Sequence, residues 1–259
     1  MQGTHPSSIE SAFGAAIELC DGKLDEADSE FLKLERKING ALRQASLFSP
    51  IASIALAQIA EGRWDSLRQE FDKLKAEVRT FVEAGTPVLS LISVGLAWNR
   101  EVLPAVSSMS ATAGAYEANA LPAWSGAAYY AYREKRDAQS EAIEATTKII
   151  QESGVWLTEM AVRNVDFFFA LIKPIVDLTQ ATIEAALEIV TAVGILEAIG
   201  TVAAAIADAA MAIMRIYMNS LRHAAKSIDA INRATAILND NSKFPAGRWP
   251  QAVNKKLAH

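Results

Sequence analysis

The stretch RWDSLRQEFDKLKAEVRTFV, residues 63–82, decides the fold class. Trp64, Leu67, Phe71, Leu74, Val78, Phe81 and Val82 recur every three or four positions, which places them on one face of a helix. Arg63, Asp65, Arg68, Glu70, Asp72, Lys73, Lys75 and Glu77 fill much of the remainder. A stripe of large apolar side chains opposite a charged face needs other helices to cover it. Upstream, Ala27, Phe31, Leu34, Ile38 and Leu42 repeat the pattern. Ser7-Ser8-Ile9-Glu10 reads as a capping box for a short helix reaching about Cys20, with Asp21-Gly22 as its break. Ser49-Pro50 ends the second helix, since the residue before a proline avoids helical geometry.

Downstream of the decisive stretch, Gly85 stands where a left-handed C-cap is wanted. Thr86-Pro87 then offers a new N-cap with proline at the first helical position. The spacing predicts a helix from Pro87 to about Asn119, bent at Pro104. Leu121-Pro122-Ala123-Trp124-Ser125-Gly126 reads as a turn. From Ala127 to about Ile172 no proline intervenes, and a helix of that length would be about 65 Å long. Lys173-Pro174 is expected to kink or end it. Helical patterning resumes from Ile175 to about Leu238, with Gly194 and Gly200 as candidate interruptions and Asn239-Asp240-Asn241 as the stop. Residues 242–259, with Phe244-Pro245 and Trp249-Pro250, read as a loose or docked tail. The expectation is an all-α fold, an elongated antiparallel helical bundle with a central helix-turn-helix hairpin. Its segments are N-terminal helices packing on the bundle (1–85), the hairpin (86–172), apolar C-terminal helices (173–239) and the tail (240–259).

Composition agrees with helix. The chain of 259 residues is 51% hydrophobic but only 7% aromatic, and 48 of its residues are alanine. Alanine is the best helix former because it loses no side-chain entropy. With 13 glycines and 8 prolines, low-complexity disorder and collagen-like repeats are excluded. Cys20 is the sole cysteine, so the chain holds neither an intramolecular disulfide nor a thiolate zinc cluster. His5, His223 and His259 are too dispersed to argue for a metal site or a histidine-assisted nucleophile. There is no nucleophile elbow, no phosphate-binding glycine loop and no His-Glu-x-x-His. Acid pairs such as Glu141/Glu144 and Glu184/Glu188 lack the histidines that a di-metal bundle uses. No catalytic residue, cofactor or metal is assigned, and the chain is read as a non-enzyme.

Charge is placed unevenly along a chain of net charge −5. Residues 137–214 hold eleven acids and three bases, whereas 215–259 hold eight bases and two acids. A basic C-terminal helix lying across an acidic neighbour explains this, with a basic surface for anionic lipid or an acidic partner as the alternative. Nucleic-acid binding is not expected from an acidic chain without a recognition motif. The most apolar stretch runs from Leu178 to Met214 and is interrupted by Glu184, Glu188, Glu197 and Asp208. Its longest charge-free piece, 198–207, is too short to cross a bilayer, so it reads as bundle helix and not as a constitutive span. The competing reading is a masked, membrane-active hairpin whose acids, Glu188, Glu197 and Asp208 among them, would face a pore lumen. Met1–Pro6 has no basic n-region before an apolar run, so no cleaved secretory signal is expected.

Trp124-Ser125-Gly126 lies between two long helical patterns, and Ala127-Ala128-Tyr129-Tyr130-Ala131-Tyr132 follows it. Here the chain resembles the WxG-type helical hairpins of actinobacterial type VII (ESX) secretion systems, over about a quarter of its length from Trp98 to Met160. In that family a turn bearing Trp-x-Gly joins two long antiparallel helices. The resemblance implies secretion through a type VII system without a cleaved signal peptide, the alternative being a cytoplasmic protein. It also implies a helical protein partner, or a second copy of the chain, and no catalysis. Family members or their partners add Tyr-x-x-x-Asp/Glu to the turn as the second half of an export signal. Tyr130 and Glu134 fit those letters but begin four residues after Gly126, not at the far end of a helix. The export and partner residues are therefore expected to be Trp124, Gly126, Tyr130 and Glu134. A self-assembling structural bundle is the remaining alternative.

Overall fold

A computed structural model of the chain describes residues 6–48, 50–109, 112, 125–189 and 191–251. These are about 93% helical, with no strand, so the fold is all-α. Four long helices account for most of it: α1 (Pro6–Phe48), α2 (Pro50–Ala97), α3 (Ala127–Glu188) and α4 (Ala192–Leu238). A π-helical turn, Trp98–Val102, and helical residues 103–109 follow α2, and a 3-10 turn, Pro245–Gly247, follows α4.

Several punctuation signals expected to break helices do not. Helix α1 begins at Pro6 and runs unbroken through Asp21-Gly22 to Phe48. The reason is register: Ile9, Phe13, Ala16, Cys20, Leu24, Ala27, Phe31, Leu34 and Ile38 are all buried at three- and four-residue steps. A mid-helix glycine costs about 1 kcal/mol, whereas each fully buried large apolar side chain gains about 1.5–3 kcal/mol. Gly85 is no C-cap and Thr86-Pro87 starts no new helix, because α2 continues through Pro87 to Ala97. Gly85 serves close packing instead. A Cβ there would lie 2.7 Å from Ile17 Cδ1 and 2.9 Å from Phe168 Cζ. Pro174 likewise falls inside α3. The carbonyls these two prolines cannot bond belong to Glu83 and Ala170, both exposed residues whose oxygens water can reach. The break expected near Gly194 comes earlier, after Glu188, where Thr191 caps α4. Its Oγ1 accepts from the Gly194 N–H at 3.1 Å, and its carbonyl accepts from Ile195 N–H at 3.2 Å. At Pro104 the expected disturbance takes the form of the π turn, in which the Leu103 N–H bonds back to the Trp98 carbonyl.

The chain forms two compact units. The first unit takes in residues up to 89 and residues 162–221. In it the α1 stripe meets Ala60, Trp64, Leu67, Phe71, Leu74 and Val78 of α2. Phe31 stacks on Phe71 at 4.3 Å and on Trp64 at 4.8 Å between ring centres. Arg68–Glu35, Lys75–Asp28 and Arg79–Asp25 pair at 2.9, 2.9 and 3.1 Å, so α1 and α2 run in opposite directions along this contact. Phe168, Leu171, Ile175 and Leu178 of α3 and Ile195, Ile199, Val202, Ile206 and Ile213 of α4 complete the buried set. Thr179 and Thr182 are buried with them, their hydroxyls donating to the Ile175 and Leu178 carbonyls. Burial, with a smaller contribution from the Asp21 charge, pushes the Cys20 thiol up to about 11, so it is an inert packing group.

The second unit takes in residues 90–161 and 222 onward. Here α2 and the π turn after it approach α3 closely at two glycines. A Cβ on Gly95 would meet Leu157 at 2.3 Å, and one on Gly154 would meet the Asn99 amide at 1.8 Å. At each glycine a side chain of the facing segment, Leu157 or Asn99, packs against bare backbone.

The buried Trp64 indole N–H has no hydrogen-bond partner among the described residues. Trp64→Phe keeps a ring on Phe31 and removes that orphan donor, so thermal unfolding is expected to shift by no more than about 1 kcal/mol. Trp64→Ala is expected to lose about 3–5 kcal/mol.

Candidate partner-binding and export site

Trp124 lies outside the described residues. Gly126 has φ +94, a left-handed conformation that favours glycine, and no neighbour would meet a Cβ there. The glycine is therefore required by backbone geometry and not by crowding. Its carbonyl accepts from the Tyr130 N–H at 3.3 Å, the first hydrogen bond of α3. Tyr130 is 67% exposed, its ring edge against Tyr129, and Glu134 is also exposed. Four residues apart on a helix, Tyr130 and Glu134 share one face. In the sequence-predicted membrane segment, Leu178 is buried in the first unit, whereas Glu188, Glu197, Asp208 and Met214 are exposed.

Farther along α3 lies a contact that sequence pattern left open. Residues 239–251 form a clasp over the helix. Phe244 is buried, Lys243 pairs with Glu141 at 2.6 Å, and Gln139 donates to the Pro250 carbonyl at 3.2 Å. The clasp is wound by its own side chains. Asp240 accepts from the Ser242 N–H and hydroxyl at 2.9 and 2.7 Å, and Asn241 accepts from the Ala246 N–H at 3.1 Å. Ala246 itself is left-handed at φ +56, a strained state for a residue with a Cβ. The Ser242 hydrogen bonds hold the Asp240 carboxyl below its ordinary range, and Glu141 raises Lys243. The signal in the sequence was the Asn-Asp-Asn-Ser run, a cluster that hydrogen-bonds its own backbone.

Among the described residues no group of three or more His, Cys, Asp or Glu could hold a metal ion. The described residues include two shallow clefts. One of about 340 Å³ is lined by Lys23, Glu26, Thr179, Gln180 and Glu184, the other of about 420 Å³ by Asn99, Gln151, Thr158 and Glu159. Their threonine hydroxyls, Thr179 and Thr158, donate to the Ile175 and Gly154 carbonyls of their own helix.

No family model, curated protein or solved structure matches this chain.

Among the described residues, two helical stretches are apolar enough over 18 residues to cross a membrane, Ala57–Met109 and Val193–Leu238, with mean hydropathy 1.4 and 1.7. Only 20% and 39% of those windows is buried. Both therefore leave apolar surface exposed. On α4 it includes Met211, Met214, Met218 and Leu221, of which sequence reading singled out only Met214.

Phe244→Ala is expected to free the clasp while leaving the helical content intact. Hydrogen exchange confined to residues 239–251 checks this. Because the folded pKa of Asp240 is depressed, its contribution is in place at neutral pH and lost as pH falls through the carboxylate range. The same protons should therefore lose protection on acidification before the long helices do.

Proposed function

We propose that this protein is a secreted substrate or partner protein of a type VII secretion system, acting through helix–helix association without catalysis. The observation that carries the reading is the start of α3. Left-handed Gly126 opens a helix of 62 residues whose first turns present Tyr130 and Glu134 to solvent on one face. The geometry supports a recognition tip, with Trp124 offering a large apolar plate and one N–H donor to a groove on a helical partner. Export would proceed without a cleaved signal peptide, with the partner supplying whatever the displaced Tyr130/Glu134 pair lacks.

Membrane activity competes for the apolar α4, and magnitudes set it behind. Asp208 near the middle of the segment costs about 2.5–3.5 kcal/mol at a bilayer centre, while Ile195, Leu196, Ile199, Val202 and Ile206 return about 0.3–0.6 kcal/mol each. These contributions nearly cancel, so spontaneous insertion has little driving force.

In a host carrying a type VII system, Trp124→Ala and Gly126→Ala are each expected to reduce export or partner capture about tenfold or more, the scale of losing one aromatic anchor. The far-UV circular dichroism of both variants should match the parent. Undiminished export of Trp124→Ala would refute the assignment.

A further inference from the structure

Helix α4 has two apolar faces. One, from Ile195 to Ile213, is buried in the first unit. The other consists of Gly200, Ala204, Ala207, Met211, Met214, Met218 and Leu221, every one of them exposed. Their steps are four, three, four, three, four and three. That is a heptad seam of about three repeats, about 32 Å long, without a charged residue in it. Such spacing fits the side chains of another helix packed along it.

The seam is also graded. Small residues occupy its first half, and large ones its second half. Parallel self-pairing would set large against large at one end and leave voids at the other. Antiparallel self-pairing about a two-fold axis sets Ala204 against Leu221, Ala207 against Met218 and Met211 against Met214 of the second copy. Ala204 and Ala207 then each face a large residue, while Gly200 falls opposite Ala225. The same register governs the flanking positions. In antiparallel pairs each residue beside the seam on one edge faces its counterpart on the same edge of the other helix. Asp208, Arg215 and Arg222 are the charged residues on that edge, all exposed; this pairing brings Asp208 and Arg215 each against the other's opposite charge in the second copy, twice by symmetry, and sets Arg222 against Thr201.

We infer that the exposed face of α4 between Gly200 and Leu221 is the interface for a second copy of this chain, joined as an antiparallel two-fold dimer. Spacing permits antiparallel pairing, and charge selects this register, because sliding by one heptad to set Gly200, Ala204 and Ala207 against Met218, Met214 and Met211 would bring Asp208 against Asp208. The inference rests on α4 alone and holds whether or not the export reading does.

The test uses the full chain. Sedimentation equilibrium is expected to give a dimer with a dissociation constant at or below about 10 μM. Asp208→Arg and Arg215→Asp each replace two attractions with two repulsions and should weaken the dimer by about tenfold. The double exchange Asp208→Arg/Arg215→Asp should restore it. Both positions are exposed, so circular dichroism should be unchanged in all three. Met214→Glu should give a monomer. A parent chain that is monomeric at about 100 μM overturns the proposal, as does failure of the double exchange to rescue. Partition of a monomeric parent onto anionic vesicles, lost in Met214→Glu, would instead assign the face to lipid and overturns it equally.

Discussion

The stacking of Phe31 between Trp64 and Phe71 is the contact on which the α1–α2 pairing depends. Three rings in register fix how far one helix may slide along the other. Once that is set, Glu35, Asp28 and Asp25 fall opposite Arg68, Lys75 and Arg79. The ion pairs are largely exposed and contribute little to stability individually. Their value is directional, since a shift by one turn would separate all three. The rings supply the free energy, and the charges select the alignment.

Tertiary packing also explains why local helix breakers are overruled. Gly22, Pro87 and Pro174 each disfavour helix locally. In the folded chain, buried residues lie on both sides of each: Cys20 and Leu24, Val78 and Ile92, Leu171 and Ile175. A proline inside a helix costs about 3 kcal/mol, comparable to burying one or two such side chains. A helix held at both ends by its neighbours absorbs that cost. The break that does occur, after Glu188, has a positive cause in the Thr191 cap and in Gly194. A Cβ on Gly194 would stand 2.7 Å from the Glu188 carbonyl.

The alanine content has a consequence for function. Alanine lets helices approach closely, but it also lets a helix be apolar all round without bulk. Helix α4 uses this to bury one face and to offer a second, graded from Gly200 to Leu221, to the outside. The turn at Gly126 and the seam on α4 are thus two separate exposed features. One is built from backbone conformation and exposed polar and aromatic groups, the other from side-chain size and spacing. The clasp of residues 239–251 adds a third local arrangement, held by hydrogen bonds of Asp240, Asn241 and Gln139.

The all-α class was legible in the sequence, because three- and four-residue periodicity is a local property of each stretch. So were the start of α3 at Ala127, which follows from the glycine at 126, and the stop at Leu238, which follows from Asn239-Asp240-Asn241. What only the tertiary structure decided is which helix breakers act and which apolar residues are covered. Gly85 reads locally as a cap, yet its role comes from Ile17 and Phe168, residues about 70 and 80 positions away. Periodicity marks both faces of α4 as apolar, and only the placement of the other helices leaves Met211, Met214, Met218 and Leu221 outside. The physical reason is the same in each case. Helical propensity is set by neighbours in the chain, whereas burial is set by neighbours in space.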